Sequence, residues 1–475
     1  MKLLDRLEEN SVKLSKKAAI EFANKTVNYN TFWTEILKLA DYFLKKKFNK
    51  ICIVEAEQDE YFFYTAMFAS LLSGATYIPI NSNFPKKRLD EVIKICKADI
   101  VITQRKIKPR SVKVLKPSFF KKIKNIKHFP KINSNNDAYI IFTSGSTGKP
   151  KGVRISRESL DAYVDWLSKK IFFEKNFRCS QHPGIGFDLS VADIFGTLCS
   201  GGTLLPIKKK IDKIFLKRFI LKSKISHWVS VPSVVDIIFD VKSKTNEFKK
   251  LKKMFFCGET LKKNHLNKIF RSNKKLEVIN TYGPTEATVS CTYIKLNFKN
   301  YNNFCKPTAS FGKPITGINL KFLDKKKKQG QLVISGKQVS EGYLNNNSLN
   351  ETKFIRKKNI RSFLTGDICK KLDGNFYYLN RIDRQIKIFG NRIELDEIDK
   401  VIGDLTNITS HSLAYRNKII TFIKGPFDKK LLLSKLEKQL PNYMLPFSIN
   451  QIKQWPKNKN YKIDEKKLIN LLKNT

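Results

Sequence analysis

Acidic residues are scarce in this chain. Its 42 Asp and Glu stand against 91 Lys and Arg, giving a formal net charge of +49 over 475 residues. Arginine is scarce too, contributing only 15 of the 91 basic residues. A specific nucleic-acid surface gathers Arg and stacking aromatics on one element. Here the Lys runs at 45–47, 121–122, 208–210 and 325–328 are spread along the chain. The charge therefore reads as a lysine-dressed solvated surface, and no specific nucleic acid is expected as a partner. C-x-x-C spacing is missing among the eight Cys (52, 96, 179, 199, 257, 291, 305 and 369), and the five His are scattered. That excludes a zinc ribbon and a dithiol redox motif. Apolar-flanked, scattered Cys suit a reducing cytosol, so a cytoplasmic protein is expected. The opening residues 1–6 turn acidic at once and lead into no apolar h-region, so no signal peptide is expected. Residues 61–80 carry no charge, but Ser70, Ser73, Gly74, Thr76 and Pro79 interrupt them. They read as a buried helix over about 59–72, a stop at Gly74 and a strand over 76–80, not as a transmembrane segment.

What is present is an alternation. Apolar runs at 51–54, 77–80 and 100–102 read as strands, with helical stretches at 59–72 and 87–96 between them. This βαβ pattern predicts an α/β fold with largely parallel sheets. A further buried strand at 138–142 runs into a Gly/Ser/Thr-rich loop. From about 295 to 378 short strands and turns predict a β-rich subdomain, and after Asp383 a small α+β unit follows. The expected domains are a large core over 1–382 and a small C-terminal domain over 383–475.

The loop Thr143-Ser144-Gly145-Ser146-Thr147-Gly148-Lys149-Pro150-Lys151-Gly152 follows a strand. It is not a Walker A loop, because Thr143 stands where that motif has Gly and Pro150 follows Lys149. Its chemistry still suits phosphate: small residues expose backbone N–H groups, hydroxyls donate, and lysines neutralise. Asn280-Thr281-Tyr282-Gly283-Pro284-Thr285-Glu286 follows another strand. It offers an aromatic ring for a base, a hydroxyl for a phosphate and a carboxylate for Mg²⁺. Then come Thr365-Gly366-Asp367, with a carboxylate suited to two sugar hydroxyls, Tyr378-Leu379-Asn380-Arg381-Ile382-Asp383, and Gly390-Asn391-Arg392-Ile393-Glu394. Asn460-Tyr461-Lys462-Ile463-Asp464 places a lysine in a polar turn.

In this order and spacing the motifs closely resemble those of the adenylate-forming superfamily, over nearly the whole chain. Phe187-Asp188-Leu189-Ser190 and residues 72–80 match further family motifs. The resemblance implies the adenylate-forming fold, with parallel-rich sheets and a β-rich subdomain in the core and a mobile C-terminal domain. It also implies ATP and Mg²⁺ as cofactors and a two-step reaction. A carboxylate attacks the α-phosphate of ATP, releasing pyrophosphate, and a thiol then attacks the acyl-adenylate. It further implies residue roles. Lys462 is the catalytic lysine, and Asp383 is the hinge. Thr143, Ser144, Gly145, Ser146, Thr147, Gly148 and Lys151 cradle phosphates. Asn280, Thr281, Tyr282, Gly283, Pro284, Thr285, Asp367, Tyr378, Leu379, Asn380 and Arg381 complete the ATP site, with Tyr282 stacking on adenine and Asp367 holding the ribose. Glu286 binds Mg²⁺. Two departures stand out. Tyr461 and Asn380 occupy positions where the family usually has Gly, a residue favoured where φ is positive.

Asp188 points to the amino-acid-activating branch, where such an aspartate pairs with the substrate ammonium. A helix-capping Asp is the alternative reading. Within that branch, Phe255-Phe256-Cys257-Gly258-Glu259 and residues 280–289 resemble the D-alanine–D-alanyl carrier protein ligases. In that case Cys257 and Val289 line a small substrate pocket shared with Asp188 and Lys462. The implied partners are a small amino acid, D-alanine first, and a phosphopantetheinyl carrier protein, with lipoteichoic acid biosynthesis as the implied pathway. A monomer is expected. The alternatives are a freestanding adenylation enzyme for another amino acid, or an acyl-CoA ligase.

Overall fold

The computed structural model describes residues 1–55, 61–105, 112–117, 119, 137–145, 148–239, 247–324, 327–358, 360–459 and 461–472. They form two compact units. The first comprises Met1–Ser82, Ile93–Phe142 and Gly152–Ile382, and the second Asn83–Val92, Thr143–Lys151 and Asp383–Thr475.

The first unit is built on three sheets. A nine-stranded sheet runs in the order Lys313–Pro314, Thr292–Leu296, Glu277–Tyr282, Lys253–Phe256, His227–Ser230, Arg178–Gln181, Thr203–Pro206, Ala18–Phe22, Lys25–Asn28. Its centre is parallel from Glu277–Tyr282 to Ala18–Phe22, and antiparallel strands close both edges. A seven-stranded sheet holds Lys50–Val54, Thr76–Ile80, Ile100–Ile102, Lys113–Leu115 and Asp137–Thr143 in parallel pairing. These are the strands expected from the apolar runs, and the α/β class with largely parallel sheets holds.

The β-rich region forms a five-stranded antiparallel sheet over Ile318–Phe322, Gln329–Gly336, Phe354–Lys357, Ile360–Leu372 and Asn375–Arg381. Its sheet begins later than residue 295 because Thr292–Leu296 and Lys313–Pro314 extend the nine-stranded sheet instead.

The charge-free segment resolves into packing. Helix Phe62–Leu72 buries every residue from Phe62 to Leu71, the signature of a helix enclosed on all sides. Asp59, the expected start of that helix, lies outside the described residues. Among the described residues no helix is long and apolar enough to cross a membrane. All eight cysteines are buried free thiols, and each lies in the first unit.

In the second unit, strands Gln385–Ile388 and Asn391–Glu394 form a hairpin. Phe389 and Gly390 at its turn both have positive φ, 48° and 75°, as a two-residue turn that follows strand twist requires. Helices Leu395–Thr406 and Lys429–Glu437 pack on a three-stranded sheet, Ser410–Tyr415, Lys418–Lys424 and Ser448–Ile452, around Ile393, Ile398, Ile402, Ile423 and Leu436.

Candidate active site

Parallel α/β sheets present their ligand sites beyond the carboxyl ends of the strands. Several of the sequence-selected residues of the first unit follow such ends. Cys257 comes directly after Lys253–Phe256, and Gly283 after Glu277–Tyr282.

Asp188 opens helix Leu189–Cys199 but makes no capping hydrogen bond. Its carboxylate instead accepts a hydrogen bond from Thr285 Oγ1 at 2.7 Å. The helix-capping alternative therefore fails, and an acidic group is held by a residue 97 positions away. Cys257 is buried, and its thiol donates to the Val289 carbonyl at 3.5 Å. Thr288 and Val289 both have positive φ, 56° and 70°. For a β-branched residue this is a genuine outlier, costing about 1–3 kcal/mol and typical of sites that fix a geometry.

Gly283 makes the strained turn possible. A Cβ there would sit 2.6 Å from both Ser290 Cα and the Val289 oxygen. Ser290 Oγ lies 2.9 Å from the Tyr163 hydroxyl. Burial pushes the Tyr163 phenol well above its ordinary range, and Cys257, Asp188 and Asp193 add to the effect. The phenol stays neutral and braces the wall beside Cys257. Sequence reading missed Tyr163, because a buried helix tyrosine carries no signal of its own.

Tyr282 and Asp367 are also joined. The Tyr282 hydroxyl donates to Asp367 Oδ2 at 2.5 Å, and its ring stacks on Phe311 with centroids 4.5 Å apart. Burial and the Asp367 charge raise the Tyr282 phenol well above its usual value. Arg381 Nη1 donates to Asp367 Oδ1 at 2.6 Å, since the two residues are register partners on adjacent strands.

Asn280 and Thr281 act as braces. Asn280 Nδ2 donates to the Ser310 carbonyl and Thr281 Oγ1 to the Phe256 carbonyl, each at 2.8 Å. Tyr378, Leu379, Asn380 and Arg381 all lie in strand Asn375–Arg381. Asn380 is extended there and has no positive φ, so a glycine-like backbone is not needed at that position. Pro284 leads into the 3₁₀ turn Thr285–Ala287. Glu286 is fully buried, and its carboxylate accepts from the Tyr343 hydroxyl at 2.7 Å. Among the described residues no cluster of three or more His, Cys, Asp or Glu side chains forms a metal site. A lone carboxylate fits Mg²⁺ in the manner usual for that ion, with substrate phosphates supplying other ligands.

In the second unit the Gly/Ser/Thr loop is engaged by carboxylates. Gly145 N–H donates to Glu397 Oε2 at 2.9 Å, and Lys151 Nζ lies 3.4 Å from Glu394 Oε1. Ser144 Oγ donates to the Arg392 carbonyl at 3.0 Å and accepts from Glu394 N–H at 3.2 Å. The other Glu397 oxygen holds buried Arg88 at 2.5 Å. Gly145 has no room for a side chain, since a Cβ would fall 2.1 Å from the Lys149 oxygen. Gly148 N–H closes the turn on the Gly145 carbonyl at 2.9 Å. The Thr143 hydroxyl is buried with no hydrogen-bond partner among the described residues. Ser146 and Thr147 lie outside the described residues.

Lys462 is exposed in a turn closed by Asn458 N–H donating to the Lys462 carbonyl at 2.8 Å and by Lys462 N–H donating to Asn458 Oδ1 at 3.1 Å. Tyr461 has φ 56°, so the turn keeps the left-handed geometry that a glycine would supply. Asp383 is the first residue of this unit after the core, and its carboxylate meets Gln385 N–H at 3.4 Å.

The chain matches the AMP-binding enzyme family over residues 7–344. The D-alanine–D-alanyl carrier protein ligase of Lacticaseibacillus rhamnosus is 33% identical over 431 residues, covering 84% of each chain. That of Lactococcus lactis is 27% identical over 498 aligned positions and 98% of each chain. Among solved structures, the Vibrio cholerae adenylation domain AlmE in complex with glycyl-adenosine-5'-phosphate superposes with a TM-score of 0.86 at 23% identity, over 100% of this chain and 98% of that one. An NRPS protein containing adenylation and PCP domains reaches 0.87 at 20% identity, over 99% of this chain and 84% of that one. The fold is thus that of the adenylation domains, and the chain belongs to the AMP-binding enzyme family as an AMP-forming ligase.

Proposed function

We propose that the chain activates D-alanine as D-alanyl-AMP, releasing pyrophosphate, and passes the acyl group to the phosphopantetheine thiol of a carrier protein. The observation that carries this reading is the held carboxylate of Asp188 together with the small wall made by Cys257 and Val289. The likeness to the D-alanine–D-alanyl carrier protein ligases supports the same substrate and acceptor. Cytoplasmic lipoteichoic acid biosynthesis is the setting this assignment implies.

The substrate carboxylate is already ionised at neutral pH, so adenylation needs no general base. It needs charge neutralisation and alignment. Tyr282 and Phe311 present an aromatic stack for adenine, and Asp367 accepts the ribose hydroxyls beside Arg381. Glu286 is the carboxylate that would hold Mg²⁺, which supplies charge neutralisation at the phosphates. Gly145 and Lys151 carry donors that Glu397 and Glu394 now satisfy, and the Ser144 hydroxyl donates to the Arg392 carbonyl. Phosphate oxygens call on the same donors, which supports a phosphate role for this loop. Lys462 stabilises charge developing on the α-phosphate. Asp383 is the hinge about which the C-terminal domain changes role between the half-reactions.

Amino-acid-dependent ATP–pyrophosphate exchange, run over both alanine enantiomers, glycine and larger side chains, tests the assignment. D-Alanine is expected to be fastest. With ammonium and carboxylate fixed, the L-enantiomer exchanges hydrogen for methyl and drives that methyl against the Cys257 sulfur. One misplaced methyl in a small pocket is worth about 10–200-fold in kcat/KM. Cys257→Ala is expected to admit L-alanine while retaining D-alanine. A wild type that prefers L-alanine or a larger side chain overturns the substrate, and a variant whose preference is unchanged removes Cys257 from the discrimination.

A further inference from the structure

Between strands Thr203–Pro206 and His227–Ser230 the chain makes two short helices, Lys210–Ile214 and Leu216–Lys222. Leu216 and Ile220 anchor one face in the core. The opposite face is left open. Ile214 and Phe215 are 64% and 52% exposed, with Ile211, Leu221 and Ile237 also exposed beside them. Singly exposed apolar residues need no explanation, but a contiguous group of this kind marks an interaction site.

The face is concave and basic. Cavities of about 630 and 530 Å³ both take Phe215, Arg218 and Lys222 into their walls. Lys209, Lys210, Lys213, Arg218, Lys222 and Lys224 are exposed around them. Of the nearby acids, Glu21 pairs with Arg178 at 2.7 Å, Glu247 with Lys217 at 3.0 Å and Asp236 with Lys268 at 2.7 Å, which leaves Asp212 as the acid in the wall of the larger cavity, outnumbered by the cations around it. Arg218 and Lys222 make no ion pair among the described residues. The larger cavity reaches Lys208, which pairs with Glu55 at 2.6 Å. Glu55 in turn accepts from Ile185 N–H at 3.4 Å, three residues before Asp188.

We propose that this surface docks an acidic, amphipathic helical face of the thiol-bearing carrier protein. The inference rests on the function proposed above, which requires a protein partner to present its thiol and leave. Two adjoining hollows fit the ridge of side chains on a helix, whereas a flat bilayer cannot fill them. The uncompensated basic rim selects an acidic partner and speeds its encounter. The apolar floor at Phe215 supplies the buried centre that such an interface needs.

The test uses the full chain, the double variant Arg218→Glu/Lys222→Glu and, separately, Phe215→Ala. Three readouts are compared: D-alanine-dependent ATP–pyrophosphate exchange, transfer to the phosphopantetheinylated D-alanyl carrier protein of the same genome, and transfer to free pantetheine. Exchange and transfer to pantetheine are expected to stay at the wild-type level, which also reports correct folding. The KM for the carrier is expected to rise about tenfold or more, with added salt weakening the wild type toward the double variant. Intact exchange with undiminished carrier transfer in both variants overturns the docking site alone. Absence of amino-acid-dependent exchange in the wild type overturns the function and the occupant with it. Normal carrier transfer with variant-sensitive retention on phosphatidylglycerol vesicles, or with a variant-sensitive dimer in sedimentation, assigns the surface to a membrane or to a second copy and overturns the proposal.

Discussion

Replacing Lys462 by alanine is expected to slow aminoacyl-adenylate formation by on the order of 100-fold or more while leaving ATP binding largely intact. The ammonium stands in a turn held by Asn458 at both its N–H and its carbonyl. It makes no ion pair among the described residues, so its removal breaks no internal salt bridge. Its neighbour Tyr461 keeps φ at 56°. A left-handed conformation costs a side-chain-bearing residue roughly 1–2 kcal/mol. The turn is thus retained against its own local preference, as expected where geometry matters more than stability. Single-turnover quench-flow with D-alanine, alongside a nucleotide-binding measurement, separates the two steps. Near-normal adenylation in the variant removes Lys462 from the reaction.

Asp188→Asn is expected to raise the KM for the amino acid roughly 100-fold while moving the KM for ATP little. Removing one partner of a desolvated charge pair typically costs about 2–5 kcal/mol, much of it from stranding the other charge. Asparagine keeps the shape and can still accept from Thr285 Oγ1, so the change is one of charge. Parallel rises in both KM values, or no rise in either, would assign Asp188 to the architecture of the loop. A useful control is a substrate analogue without the amino group, which should lose its disadvantage in the variant.

Much of this was legible in the chain, and what was not shares one cause. The apolar runs at 51–54, 77–80, 100–102 and 138–142 became strands because a buried parallel strand needs apolar side chains on both faces. The motif loops could be found because Gly, Pro and hydroxyl residues punctuate them. Pairings across long separations left no local trace. Thr285 with Asp188, Tyr343 with Glu286 and the loop of Ser144 and Gly145 with Glu394 and Glu397 join residues 57 to 252 positions apart. The motif marks Thr285 as a nucleotide contact, yet its hydroxyl holds the candidate ammonium-binding carboxylate. Glycine was the expected answer at positions 380 and 461, and the two outcomes differ. Asn380 is extended in a strand, whereas Tyr461 does hold the left-handed backbone. Composition cannot separate these cases, because the same family preference arises from different backbone demands.

The placement of the cysteines has a practical corollary. All eight thiols are buried in the first unit, and the second contains none. Burial raises the thiols of Cys179, Cys199, Cys291 and Cys369 far above their usual range, which leaves almost no thiolate to react at neutral pH. Alkylation of these four must therefore wait for the core to open, and its rate becomes a clock for core unfolding that is blind to excursions of the C-terminal unit. The same arrangement matters to an enzyme that handles an activated acyl group. Cys179, Cys199, Cys291 and Cys369, neutral and enclosed, are poor competitors for the acyl-adenylate.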